Sequence, residues 1–234
     1  FLDILRRSLE STSRGLRLGL ATEVGQSVTE LIGALETLPA DGSGPGAAPL
    51  WVLLDTIITK YQPLALHDSF STETAPHHLR QQAALIGWYV SNDLALQACL
   101  LAREWLVNWT GLELGIRDLL DRTQRKDVEE ALWQAVIGRS ANANSQQRLE
   151  GAVAEGKLQT VRELERVLIL WPQIVTIRNH LAHASMRPRS RSIRETTRQL
   201  RNVQRSIETM ADRLLPLPPE EELKGWNPWA SSEE

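Results

Sequence analysis

The sequence has a single cysteine, Cys99, and lacks the features that mark secreted or membrane proteins. One cysteine forms no intrachain disulfide, which is typical of a protein from a reducing, cytoplasmic compartment. No apolar run approaches the ~18 residues that a membrane-spanning helix needs, and nothing resembles a signal peptide. The chain opens with Phe1 in place of methionine, so we expect a processed protein or a part of a longer one. We therefore predict a cytoplasmic protein with no membrane contact.

Patterns that bind metals or nucleotides are also missing. His77 and His78 are adjacent, and a helix would point them about 100° apart. No group of cysteine, histidine and carboxylate residues has the spacing of metal ligands. The glycine-rich stretch at 42–46 has no Lys-Ser/Thr successor and no strand before it, so it does not fit a phosphate-binding loop. We therefore predict no metal and no cofactor.

The overall charge is close to balance, at a net −3 over 234 residues, and gives no global signal for nucleic-acid binding. Its distribution is uneven. Seven arginines lie between residues 187 and 205, where Glu195 is the one acid, and the tail from Pro216 onward is mostly acidic. Such asymmetry is typical of a local phosphate-binding patch on a near-neutral protein.

Helical periodicity dominates the chain, and no segment alternates as a strand does. We predict an all-α bundle with a helical connector layer at 1–70, a main bundle at 71–215 and a Pro-rich acidic tail at 216–234. Trp88, Trp105 and Trp109 are expected in the core.

The helices are expected at the following positions. A run over 2–38 is weakened by Gly15, Gly19 and Gly25, and a shorter helix covers about 50–61. The next two helices are expected to start at Pro76 and, with Asp93 as the cap, just after residue 93. Further helices are expected over 112–122, 127–137 and 158–170, from Pro172 onward, and over 191–214.

The segment 178–183 reads Arg-Asn-His-Leu-Ala-His and lies on one of these helices. At about 100° per residue, Arg178, Asn179 and His183 fall within about 140° of arc, opposite an apolar stripe that includes Ile174 and Ile177. A histidine that exchanges a proton near neutral pH, beside a permanently charged guanidinium, suits cleavage of RNA. A solvated polar face on an ordinary amphipathic helix would contain the same residues.

Two stretches resemble the C-terminal effector half of CRISPR-associated CARF–HEPN ribonucleases. One is the "WY" helix at 85–89, Leu-Ile-Gly-Trp-Tyr, followed at 97–107 by Gln-Ala-Cys-Leu-Leu-Ala-Arg-Glu-Trp-Leu-Val. The other is the later Arg-x4-His helix, matched here by Arg178, Asn179 and His183. The resemblance covers residues 76–185 or so and extends to the arginine-rich segment that follows the motif.

This resemblance implies a HEPN-like bundle with a metal-independent endoribonuclease site formed by Arg178, Asn179 and His183. Its substrate would be single-stranded RNA, whose 2′-hydroxyl is the nucleophile. The arginines that come next, Arg187, Arg189, Arg191 and Arg194, are our candidates for RNA binding.

In the resembled family two protomers pair so that two such sets line one composite cleft, so a homodimer is implied. Val175 and Ala182 are expected to give the outward face of the motif helix small side chains that let a partner helix approach. Members of the family usually carry an N-terminal CARF domain that binds cyclic oligoadenylate and switches the nuclease on. No α/β pattern of that kind occurs in this sequence, so such control is implied by resemblance alone.

Two alternatives remain open. The first is a HEPN toxin of a toxin–antitoxin pair, or a subunit paired with a nucleotidyltransferase, in which the same motif acts without a CARF domain. The second is a helical adaptor without catalysis that binds a protein through the arginine-rich helix or through Trp226 and Trp229. An RNA-degradation assay separates the adaptor from both nucleases.

Overall fold

The computed structural model describes residues 2–36, 53, 56–66, 70–71, 73–140, 158–182 and 192–216. All regular structure in these ranges is helical and none is strand, which confirms the predicted all-α bundle. The helices are α1 (Leu2–Leu18), α2 (Ala21–Glu36), a 3-10 helix (Gln62–Leu64), α3 (Ala75–Ser91), α4 (Ala95–Glu113), α5 (Arg122–Ser140), α6 (Leu164–Ala182) and α7 (Ile193–Leu214). Within the described ranges, no helix combines the length and the apolar character needed to cross a membrane.

The main core is built around α4, which packs against α3, α5, α6 and α7. Trp105 and Trp109 lie four residues apart on α4, so they share a face. Both are fully buried, and their rings stack with centroids 5.8 Å apart. The indole N–H of Trp105 donates to the carbonyl of Leu79 on α3 at 2.7 Å, which satisfies the polar end of a buried ring. These two tryptophans are core residues, as the sequence predicts, whereas Trp88 is half-buried at the edge.

α1 and α2 form a helical hairpin that breaks at one of the three expected glycines. Gly19 has a φ of +76°, a left-handed conformation that glycine adopts without strain, and its amide donates to the carbonyl of Gly15. Gly25 continues the helix instead. A Cβ at Gly25 would lie 2.4 Å from the Cβ of Leu66, so the missing side chain lets α2 approach the segment after the 3-10 helix.

The N-terminal helices contribute to two apolar clusters. Leu16, Val24 and Val28 join the main core. Leu5, Leu31 and Leu35 form a second, smaller cluster with Ile57 and Ile58 packed against it. The predicted connector layer therefore contributes to the main core and also has a small core of its own.

The expected cap of α4 at Asp93 is wrong. The cap position is Leu94, and no side chain caps the helix there. Asp93 is exposed with a φ of +57°, in the left-handed region that aspartate tolerates better than most residues. The amide of Leu94 donates to the carbonyl of Tyr89 at 2.9 Å, so backbone hydrogen bonds close this turn without a side-chain cap.

The expected helix at 112–122 is also wrong. α4 continues to Glu113, and a turn follows before α5 starts at Arg122. One carboxylate oxygen of Asp118 accepts hydrogen bonds from the amides of Leu120 at 2.9 Å and Asp121 at 3.1 Å. Aspartate competes for backbone donors in this way and favours turns over helix interiors.

Pro172 lies inside α6 and not at its start, which corrects the predicted helix boundary. Proline in a helix interior removes one hydrogen bond and costs about 3 kcal/mol. The helix continues because its buried face outweighs that cost, since each large apolar side chain contributes about 1.5–3 kcal/mol when fully buried. That face consists of Val167, Leu168, Leu170, Trp171, Ile174 and Ile177.

α7 covers almost the whole of the predicted helix 191–214, and both of its ends are held. At the N-terminus the hydroxyl of Ser192 accepts from the amide of Glu195 at 3.2 Å, as a capping serine does. At the C-terminus the buried guanidinium of Arg80 on α3 donates to the carbonyls of Ala211 and Leu215 at 3.0 and 2.7 Å. It also donates to the carbonyl of Pro216 at 3.0 Å. These hydrogen bonds fix the position of α7 on the bundle.

Candidate functional site

The last turn of α6 brings two of the predicted site residues together. A guanidinium nitrogen of Arg178 donates to the side-chain oxygen of Asn179 at 2.9 Å. Both side chains are half-buried. The amide oxygen of Asn179 is thus occupied by Arg178, and its NH₂ group is left as a donor.

Arg178 is less exposed than the helical pattern predicts, because α4 packs beside it. The buried thiol of Cys99 on α4 donates to the carbonyl of Ile174 at 3.3 Å. Burial raises the pKa of Cys99 to about 12, and the neighbouring Arg178 charge opposes that rise. Arg178 therefore lies at the edge of the core. A thiol with so high a pKa is a poor nucleophile at neutral pH, which leaves Cys99 a packing role.

The predicted outward position of Val175 is wrong. Val175 is partly buried and packs against the main core, whereas Ala182 is exposed as expected. The buried face of α6 is therefore wider than the apolar stripe visible in the sequence.

Arg178 differs from most half-buried arginines of this protein in having no acidic partner among the described residues. The half-buried Arg103, Arg125 and Arg166 pair with Glu129, Glu104 and Glu163, and the buried Arg80 pairs with Asp212. A partly desolvated guanidinium without a counter-ion is an available partner for an anion, and its planar donors fit a phosphate group.

Most of the other predicted site residues are not among those that the structure describes. His183, Arg187, Arg189 and Arg191 lie outside the described residues. α6 is described to Ala182, the residue before His183. His180, in the last turn of α6, is half-buried.

Arg194 belongs to a line of four arginines on α7. Arg194, Arg198, Arg201 and Arg205 are all exposed. At about 100° per residue they fall within about 60° of arc, and at about 1.5 Å per residue they extend over about 16 Å of helix. Together with Thr197 and Asn202 they line a shallow depression that is open to solvent. We call these four residues the α7 arginine stripe.

Of the three acids of α7, Glu195 lies in the first turn beside Arg194, and the other two have partners outside this stripe. Asp212 is paired with Arg80 at 3.3 Å. Glu208 accepts a hydrogen bond from Gln204 at 2.6 Å, and burial raises its pKa to about 7, with Asp212 adding to the rise and Arg205 opposing it. Arg194, Arg198 and Arg201 form neither ion pairs nor hydrogen bonds within the part of the chain that the structure describes.

A signal for the stripe is present in the sequence. The spacing of three or four residues between these arginines places them on one helical face. The arginines predicted to bind RNA are instead those nearest the motif along the chain, and of those only Arg194 belongs to the stripe. Helical spacing is therefore the better guide to this surface than distance from the motif.

Nothing among the described residues forms a group of three or more side chains able to hold a metal ion. No protein family model, characterised protein or solved structure matches the chain.

Proposed function

We propose that this protein is a metal-independent endoribonuclease of the HEPN kind that cleaves single-stranded RNA. The observation that carries the proposal is the Arg178–Asn179 pair, in which a half-buried guanidinium has no acid among the described residues and is oriented by its neighbour. The motif that contains this pair is completed five residues later by His183.

In the proposed reaction Arg178 stabilises negative charge on the phosphorane. Its side chain cannot act as a base, since a guanidinium stays protonated in proteins. Asn179 has two tasks. Its oxygen holds Arg178 in place, and its NH₂ group donates to a phosphate oxygen. Both groups act by position and charge, for which an edge-of-core location gives stronger electrostatics than open solvent.

His183 is proposed to exchange the protons. The 2′-hydroxyl of the RNA loses its proton and attacks the adjacent phosphorus, and the 5′-oxygen of the next nucleotide leaves and takes up a proton. The products are a 2′,3′-cyclic phosphate and a 5′-hydroxyl. Because the substrate supplies the nucleophile, the reaction needs no metal-bound water.

One arginine and one histidine make a sparse catalytic set, so we propose that two protomers combine their sets in one cleft. The dimer, the control by cyclic oligoadenylate through a further domain and the antiviral role rest on the resemblance to CARF–HEPN proteins. A HEPN toxin would use the same residues. Binding of RNA without cleavage is the second candidate, and it is favoured by a different observation, the α7 arginine stripe.

The test is cleavage of a labelled single-stranded RNA by the full chain and by Arg178→Ala and His183→Ala. Either substitution should lower the cleavage rate at least 100-fold, because each removes a charge or proton donor from the transition state. His180→Ala is the matched control, since it removes a histidine of the same segment and should retain activity. Arg178→Lys keeps the charge and checks that loss is not caused by unfolding.

Two further conditions test the mechanism itself. Cleavage should be unchanged in EDTA, and DNA of the same sequence should stay intact because it lacks the 2′-hydroxyl. Loss of activity in EDTA, equal cleavage of DNA, or near wild-type cleavage by Arg178→Ala would each overturn the proposal.

A further inference from the structure

The α7 arginine stripe is separate from the Arg178 motif, since it lies on another helix and is formed by residues of α7 alone. We propose that it binds the sugar–phosphate backbone of single-stranded RNA along the helix and without reading the bases. This binding rests on the proposed function only in the choice of RNA as the natural ligand, because it requires no cleavage.

The chemistry of the stripe suits phosphates. All four members are arginines, whose planar guanidinium binds a phosphate through two parallel hydrogen bonds. Three of them, Arg194, Arg198 and Arg201, have their donors uncommitted within the described residues. A row of like charges on one exposed face is electrostatically unfavourable for the protein alone, and a polymer with regularly spaced negative charges relieves that repulsion.

The stripe does not suit a membrane surface. An amphipathic helix binds a bilayer by inserting its apolar face between lipids. The apolar face of α7 is already committed, because Leu200, Val203, Ile207 and Met210 are buried in the core of the bundle. The residues that line the depression with the arginines are Thr197 and Asn202. Ile193 is exposed, but it is a single apolar residue about 100° around the helix from Arg194, so it forms no apolar face for insertion.

A protein partner is also a poor match. Protein interfaces usually have an apolar or aromatic centre that carries most of the binding energy. The lining of the stripe has neither, so its contacts are limited to charge and hydrogen bonds. The same lack of aromatic side chains removes base stacking, which leaves a backbone contact that is indifferent to base identity.

The experiment measures equilibrium binding of a fluorescein-labelled 20-nucleotide single-stranded DNA of mixed sequence and of the matching 2′-O-methyl RNA, neither of which the proposed nuclease can cleave. Binding is followed by anisotropy between 50 and 200 mM salt. Four phosphate contacts predict a log–log slope of about −2.8, a loss of affinity of about 50-fold over this range. The variant combines Arg194→Gln, Arg198→Gln, Arg201→Gln and Arg205→Gln. Glutamine has almost the helix propensity of arginine, so the fold should be retained.

The matched control removes the same charge from another helix, by Arg6→Gln, Arg7→Gln, Arg14→Gln and Arg17→Gln on α1. The proposal expects the stripe variant to lose most of the salt slope for both probes and the α1 variant to keep it. An unchanged slope in the stripe variant, or equal losses in the two variants, would overturn it. So would equally tight binding of poly-glutamate, or binding of phosphatidylserine vesicles in place of the oligonucleotides.

Failure of this inference can be told apart from failure of the proposed function. A wild-type chain that binds both probes through the stripe and cleaves no RNA would leave the stripe supported and the nuclease rejected. A chain that cleaves RNA while the stripe variant binds DNA unchanged would reject the stripe and leave the nuclease supported.

Discussion

Two helices of this protein, α1 and α7, have the same net charge and use it in different ways. α1 carries four arginines against Asp3 and Glu10, and α7 carries five arginines against Glu195, Glu208 and Asp212, which leaves +2 on each. Only α7 presents a continuous positive stripe. The difference lies in the partners of the charged groups and not in their number.

On α1 three of the four arginines bind their own helix. Arg6 pairs with Glu10 at 2.8 Å, Arg7 donates to the carbonyl of Asp3 at 3.2 Å, and Arg17 donates to the hydroxyl of Ser13 at 2.8 Å. On α7 two of the three acids are engaged, Asp212 by Arg80 and Glu208 by Gln204. The net charge of a segment therefore says little about its local field until the partners of each ion are known.

The two helices also differ in how they are attached. α1 packs chiefly against α2, while α7 packs against α3, α4 and α6. A binding surface on α7 thus has the whole bundle behind it.

Truncation of an apolar side chain should affect the two helices unequally. Ile207 on α7 is 0% exposed, and Leu9 on α1 is 42% exposed. Ile207→Ala should lower the free energy of unfolding by about 2–5 kcal/mol, because it leaves a cavity in a packed core. Leu9→Ala should cost less than about 1 kcal/mol. Urea denaturation measures both values, and equal losses would show that Ile207 contributes no more to packing than an exposed leucine of α1.

Loss of the Arg80 hydrogen bonds at the C-terminus of α7 should have the second largest effect on stability. Arg80→Met keeps much of the buried volume but removes the donor to the carbonyl of Leu215, while the carbonyl of Ala211 still accepts from the amide of Leu215. We expect a loss of about 1–3 kcal/mol from the Leu215 carbonyl that is left unsatisfied. Arg17→Met on α1 removes an exposed arginine and should change stability by no more than about 0.5 kcal/mol. The comparison fails if both variants unfold at the same urea concentration.

The buried acid of α7 should make stability depend on pH. The pKa of Glu208 is raised from 4.5 to about 7, chiefly by burial, so folding favours its protonated form. The stabilisation is complete below pH 4.5 and is lost as the pH rises through 7. Glu208→Gln should therefore exceed the wild type by about 1–2 kcal/mol at pH 8.5, after an allowance for solvent screening, and match it at low pH.

Unfolding at pH 5 and pH 8.5 measures this difference. Glu10→Gln on α1 is the control, since Glu10 is exposed and paired with Arg6. It should lower stability slightly, by no more than about 0.5 kcal/mol. A Glu208→Gln variant that is less stable than the wild type at pH 8.5 would contradict the expected sign.

The sequence was sufficient for the fold class and for α7, whose alternating apolar and charged residues and capping Ser192 are local signals. It was insufficient at Pro172. A local rule predicts that a helix starts there, but the packing of the face around Trp171 and Ile174 keeps α6 continuous through the proline. It was insufficient at Asp93 for a similar reason, because a backbone turn took the place of a side-chain cap. Local patterns thus located the helices better than they located the ends.

For the candidate site, the sequence predicted which residues are neighbours but not how deeply they are buried. The proximity of Arg178 and Asn179 follows from their being neighbours, and the α7 stripe follows from its spacing. The half-burial of Arg178 does not, since it depends on Cys99 and the rest of α4, which is distant in sequence. Whether an arginine has an acidic partner is a tertiary property that no helical pattern contains.

Pro172 has a consequence for local opening of α6. It has no amide hydrogen to give to the carbonyl of Leu168, so the ladder of main-chain hydrogen bonds is interrupted in the middle of the helix. Amide hydrogen exchange should report different opening free energies on the two sides of this break. Ile174 and Ile177 hold the turns just after Pro172 in the core, so the expected fraying is confined to the end of α6 that carries Arg178 and Asn179. We therefore expect the residues proposed to contact RNA to adjust to a ligand without opening of the bundle.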